Sequence, residues 1–157
     1  MNEMLGNQYF MARNYMGAAT VFQSVLENEP DNLNAKKKLI ISFTQIGRHK
    51  RAMKLFMEVI NDKIDYIMNT DPIKDDCPCG ELVNGLERVT KHGEQTFTSY
   101  QTLGILWLYC DINQSVDYFE KALELMPNDE NINGALILLK KKLKETPNQN
   151  FKSDIPS

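Results

Sequence analysis

Residues 5–30 read L-G-N-Q-Y-F-M-A-R-N-Y-M-G-A-A-T-V-F-Q-S-V-L-E-N-E-P, and the pattern returns 34 residues further on. Leu5 falls on Leu39, Tyr9 on Phe43, Ala18 on Ala52, Phe22 on Phe56 and Val25 on Val59. Five agreements of chemical type at a single offset identify an internal repeat. Within each unit, apolar residues recur at helical spacing in two blocks. The break between blocks falls at Arg13-Asn14 in the first unit and at Gly47-Arg48 in the second. Each unit therefore reads as a helical hairpin. Ala18 and Ala52 come early in the second helix, where a minimal side chain lets paired helices approach closely. Phe22 and Phe56, one turn later, are placed to fill the space between them.

The pattern can be traced through the chain. The first unit carries Leu5-Gly6-x2-Tyr9, Ala18-x3-Phe22 and Pro30, with Asn2 four residues before Gly6. The second keeps Leu39, Phe43, Ala52 and Phe56 but has Ile40 at the glycine position and Ile64 at the proline position. A third emerges as Tyr100-x2-Leu103-Gly104-x2-Trp107, then Ser115-x3-Phe119, Ala122 and Pro127. Its halves are one residue closer, so the turn through Asp111-Ile112-Asn113 is expected to be one residue shorter. In these residues the chain resembles the tetratricopeptide repeat, a helix-turn-helix unit of 34 residues whose first position is usually Trp, here Asn2. The resemblance implies an all-α fold, a short right-handed superhelical solenoid of stacked hairpins within a single domain, 1–145. Unit one spans about 1–32, unit two about 33–65 and unit three about 96–129.

Units two and three are not contiguous. Phe56 and Phe119 are separated by almost two repeat lengths, which leaves a helical insertion over about 66–95. The stretch I-D-Y-I-M-N-T is expected to prolong the second helix of unit two until Asp71-Pro72 ends it. A further helix, with Leu82, Val83, Leu86 and Val89 on one stripe, should end at Gly93. After Pro127, Ile132, Ala135, Leu136, Leu139 and Leu143 share a face opposite lysines, as expected of a capping helix over about 130–145. Residues 146–157 lack periodicity and read as a flexible tail. Met1 falls within the first helix with no capping side chain ahead of it. That is the mark of a frayed start or of a chain cut from a longer array, and the second is favoured. Such an uncapped helix, with Met4 and Leu5 near aromatic residues, also offers a route to homo-oligomers by end-on stacking.

The insertion holds D-C-P-C-G-E, residues 76–81, with two of the three cysteines. Proline suits a helix start and Asp accepts hydrogen bonds from the free amides there, so the stretch reads first as a helix N-terminus with small apolar thiols. A thiol-redox role for Cys77 and Cys79 is the alternative, since a helix N-terminus stabilises thiolates. Asp75, Asp76 and Glu81 oppose it, and the spacing is Cys-x-Cys rather than Cys-x-x-Cys. A metal site would have to draw on Cys77, Cys79, His92 and Cys110, whose spacing matches no familiar zinc arrangement. Three cysteines are too few for a disulfide scaffold, so reduced thiols are expected.

Composition narrows the function. With 42% hydrophobic and 25% charged residues, the 157-residue chain should bury a core. Eighteen basic against twenty-one acidic residues, a net charge of -3, argue against a nucleic-acid binder. No run is long and apolar enough to span a membrane and no secretory leader pattern is present, so no membrane partner and a cytoplasmic address are expected. There is no phosphate-binding glycine loop, no His-Glu-x-x-His and no Gly-x-Ser-x-Gly. His49, in R-H-K-R, reads as part of a solvated basic turn, pairs such as Glu120 and Glu124 as a helix surface, and the methionines as packing. The chain is read as a noncatalytic module without a cofactor.

In the resembled family the first helices of successive units line a concave groove that receives an extended peptide or a partner helix. By position, the resemblance implies a groove presenting Glu3, Asn7, Phe10 and Met11 from unit one, and Asn34, Lys37, Lys38, Ile41 and Gln45 from unit two. Unit three would add Thr98, Gln101, Ile105 and Leu108. The carboxylate clamp by which some members hold the acidic tails of heat-shock chaperones maps to Glu3, Asn7, Lys38, Phe97 and Gln101, or to Thr98 and Thr102 in a shifted register. Only Asn7 agrees, and converging cations are needed for a carboxylate, so binding of those tails is not expected. Lys36, Lys37 and Lys38 with Arg48, Lys50, Arg51 and Lys54 still make unit two locally basic, which favours an acidic peptide as partner.

Overall fold

The computed structural model describes residues 2–93 and 95–145, and among them the chain forms eight α-helices and no strand. They are α1 (Glu3–Met11), α2 (Tyr15–Asn28), α3 (Leu33–Gln45), α4 (His49–Met68), α5 (Cys79–His92), α6 (Phe97–Trp107), α7 (Ile112–Leu125) and α8 (Glu130–Glu145). The residues expected to form the tail lie outside the described part.

Short polar side chains set the starts. Asn14, Asn32 and Thr96 accept hydrogen bonds from the amides of Gly17, Ala35 and Ser99, and Asp111 does so from Asn113. The first helix departs from expectation. It begins at Glu3, and Asn2 is its cap, accepting the Leu5 amide at 2.9 Å. The Asn2 side chain thus folds back onto α1, which is capped at its N-terminus, contrary to the expectation of an uncapped first helix. Helix ends are set by left-handed backbone at Arg13 (φ 60°) and Gly47 (φ 80°), where α1 and α3 turn into their partners.

Three hairpins result: α1 packs on α2, α3 on α4 and α6 on α7. Gly6 lies against Phe22 so closely that an added Cβ would sit 2.6 Å from the ring, and Gly104 meets Phe119 at the same distance. The same contact is made with one residue fewer between its partners in the third hairpin, but the connection is not shorter as expected: residues 108–111 join α6 to α7, against 12–14 between α1 and α2, and Ile112 and Asn113 already belong to α7. Ala18, Ala52 and Ser115 are fully buried at the equivalent crossings. Ser115 adds a hydrogen bond from its hydroxyl to the Gly104 carbonyl, 2.6 Å. In the middle hairpin Ile40, fully buried, takes the glycine position.

Hairpins also pack on one another, α2 against α3 and α4 against α6. Phe56 and Phe119 meet at the second of these junctions with ring centroids 5.8 Å apart. Helix α4 continues past the repeat boundary through a kink at Lys63 (φ -140°, ψ 55°), and the prolongation is anchored by fully buried Ile67. Helix α8 buries Ile132, Ala135, Leu136 and Leu139 as its pattern requires, but against α4 as well as α7. The long α4 brings Met57 beside Gly134 and Asp65 to within 2.7 Å of Lys142. No helix among the described residues is long and apolar enough to cross a membrane.

Candidate partner-binding surface

The faces of α1, α3 and α6 that the family resemblance marks as a groove are only partly open. Asn7 and Asn34 are half-buried, Met11, Gln45 and Thr98 are exposed, but Phe10, Lys37, Ile41, Gln101, Ile105 and Leu108 are buried. The insertion lies over part of this face, a position the sequence does not assign it.

The insertion comes near α3 at both of its ends. Near its start, Lys37 is 6% exposed; its ammonium is 3.2 Å from the Asp75 carboxylate and 4.9 Å from the centre of the Tyr66 ring. At its end, Thr44 and Gln45 share a pocket of about 370 Å³ with Glu81, Leu82, Gly85, Leu86 and Val89 of α5 and with Thr98, Ser99 and Thr102 of α6. Helix α5 packs directly on α6. Arg13, from the first hairpin's turn, reaches across to the same segment, with its guanidinium 3.0 Å from Glu81 and 3.6 Å from Asp76. Carboxylates from one stretch of seven residues, 75–81, thus engage cations from two different hairpins.

Local structure presents those carboxylates. Asp71 folds the loop by accepting the amides of Ile73 and Lys74, and Asp75 accepts the Asp71 amide at 2.8 Å while also receiving Lys37. Asp76 adopts a left-handed backbone (φ 47°), turning the chain toward Cys77. The two aspartates do not cap α5, as expected from sequence; its N-cap position is Pro78, without a side-chain cap. Their carboxylates are instead directed at Lys37 and Arg13. Burial works to raise the Asp75 carboxyl, but the Asp71 amide, the Lys37 hydrogen bond and the charges of Lys37 and Lys38 outweigh it, holding Asp75 below the usual carboxylate range.

The open part of the surface lies between α1 and α3. The Lys38 ammonium donates to Asn7 Oδ1 at 2.8 Å and sits 5.5 Å from the centre of the Phe10 ring. Glu3 accepts from both Asn32 and Asn34. Burial lowers the Lys38 pKa, with Asp75, Asp76 and Glu3 opposing that fall and Lys37 adding to it. Behind this surface, the buried Tyr109 hydroxyl donates to the Lys37 carbonyl at 2.5 Å, tying the end of the third hairpin's first helix to α3.

Several sequence expectations are redistributed. The basic cluster of unit two is not one patch: Lys37 and Lys38 belong to the first-helix face, whereas Arg51 and Lys54 line a separate groove with Gln23, Leu26 and Phe43. His49 opens α4 with Nδ1 3.4 Å from Thr102 Oγ1, so it faces α6 instead of standing in a solvated turn. Cys77 and Cys79 are joined by a disulfide, contrary to the expectation of reduced thiols. The bend at Asp76 and Pro78 sets their Cα atoms 5.4 Å apart, within the range a disulfide spans. Cys110 is free and exposed. With two of the four candidate ligands bonded to each other, Cys77, Cys79, His92 and Cys110 form no metal cluster, and none of three or more candidate ligands exists among the described residues. Arg13, Tyr66, Asp75 and Glu81, which build the covered face, were not among the groove residues expected from sequence.

No family model matches the chain, and no curated protein matches it.

Proposed function

We propose that the chain is a noncatalytic protein-interaction module of the tetratricopeptide type, a scaffold or adaptor that binds an acidic peptide on the face of α1, α3 and α6. The repeated glycine-against-phenylalanine crossings at Gly6 and Gly104 and the pairing of hairpins support the solenoid reading. The observation that carries the binding reading is electrostatic: this face gathers Arg13, Lys37 and Lys38 from two hairpins in an acidic protein, and its own bound segment meets Arg13 and Lys37 with carboxylates. Lys38 and Asn7, half-exposed and already hydrogen-bonded, form the accessible rim on which a peptide carboxylate would be received. The surface is preformed, so a partner loses mainly its own conformational freedom on binding.

Titration with a panel of synthetic dodecapeptides rich in Asp and Glu, against the same peptides with Asn and Gln, tests this. At least one acidic peptide should bind, its affinity should fall with salt, and Lys38→Glu should weaken it by about tenfold or more. Equal binding of the neutral panel, or indifference to Lys38→Glu, removes the reading.

A further inference from the structure

The insertion does more than lengthen the chain between two hairpins. We infer that residues 71–92 are a ligand in cis: an acidic segment of the protein's own chain that occupies the first-helix face, and that an acidic partner must displace to gain the whole surface. The inference rests on the proposed binding of acidic peptides and adds a regulated state to it.

Three observations carry it. The segment bears the same chemistry as the proposed partner, with Asp75, Asp76 and Glu81 set against Lys37 and Arg13. The pairing is complementary and reaches two hairpins, which a linker closing a gap between neighbours does not require. The second and third hairpins also touch each other directly through α4 and α6, so the segment is not the sole packing link between them.

The attachment is also built to release. The Arg13 pairs are substantially solvent-exposed, with the Glu81 side chain 61% exposed, and exposed ion pairs contribute little and are screened by salt. Of α5, only Cys79, Val83 and Thr90 are buried, whereas Val89 is 67% exposed and Gly85 has open space around its Cα. Such a helix can leave its seat with a smaller loss of buried contact than α2, α3, α4, α6 or α7, each of which buries five residues or more. An incoming carboxylate segment would exchange its own ion pairs for those of Asp75, Asp76 and Glu81, leaving the number of paired cations unchanged. Displacement is then a competition between two acidic segments, with the cis one favoured by its high effective concentration.

The probe is the segment itself, a synthetic peptide of residues 70–82 with its cysteines oxidised, titrated against the wild-type protein and against Asp75→Asn/Asp76→Asn/Glu81→Gln. The triple variant weakens the resident segment without touching the cations. It should bind the peptide at least tenfold more tightly than the wild type, and its amides across 71–92 should exchange faster while those of α2, α4 and α7 keep their wild-type protection. Arg13→Glu in the variant background should then reduce peptide binding again. No gain in peptide binding by the variant, or unchanged exchange across 71–92, overturns the inference. Failure here with the dodecapeptides still binding in a Lys38-dependent manner leaves the binding reading intact; failure of the dodecapeptides alone overturns that reading and not the occupancy of the face.

Discussion

The hairpins and the insertion are held by different forces. In the hairpins, Phe22 and Phe119 are fully buried against Gly6 and Gly104, Phe56 is fully buried beside Phe119, and cohesion comes from close apolar packing that salt and pH scarcely touch. At its acidic end the insertion is fastened by Lys37–Asp75 and by Arg13 to Asp76 and Glu81, contacts that depend on charge and are partly open to water. The contrast shows how one chain combines a rigid frame with a segment whose attachment responds to its surroundings. It also predicts that conditions which loosen the second region should leave the first intact.

The largest effect should come from Phe119→Ala, which empties the crossing on Gly104 and the contact with Phe56; the loss is about 3–5 kcal/mol by urea unfolding. Gly104→Ala attacks the same point from the other side, forcing a Cβ to 2.6 Å from the ring, and should cost about 1–3 kcal/mol in the same assay. If both are nearly neutral, the frame is not held by these crossings. Tyr109→Phe removes the buried hydroxyl that donates to the Lys37 carbonyl and should cost about 1 kcal/mol, measured by thermal unfolding. Arg13→Gln sharpens the comparison from the other side. It should alter global stability by less than about 1 kcal/mol yet speed amide exchange across 71–92, and high salt applied to the wild type should do the same.

Acid should separate the two regions most cleanly. Because Asp75 titrates below an ordinary aspartate, its contribution is fully present above the unfolded-state pKa near 4 and is lost as pH falls through the lower folded-state value. Exchange or limited proteolysis between pH 5 and 2 should therefore show the 71–92 segment opening before the hairpins melt. Simultaneous loss of both would mean that the insertion is an integral part of the frame.

The frame was legible because its information is local and periodic. Leu5, Gly6, Ala18 and Phe22 announce a hairpin by spacing alone, and Gly47 and Gly93 mark helix ends by backbone chemistry. The resident segment was not legible for the converse reason. Lys37 meets Asp75 and Arg13 meets Glu81 across long stretches of chain, and no periodicity relates them. The same residues offered plausible readings of their own: Asp75 and Asp76 as helix caps, Lys37 as a cation of an open groove, Cys77 and Cys79 as free thiols. Asn2 illustrates a smaller failure of this kind, since reading it as a replaced tryptophan hid its competence as a cap.

The contact between Phe56 and Phe119 has a kinetic implication. The first two hairpins are neighbours in sequence, but the seam between the second and third forms only after a much longer stretch has been drawn into a closed loop. Each doubling of such a loop adds about 0.6 kcal/mol of entropy opposing closure. That seam is accordingly expected to assemble last, and pulse-labelled exchange during refolding should register it as late protection of α6 and α7 relative to α2 and α3.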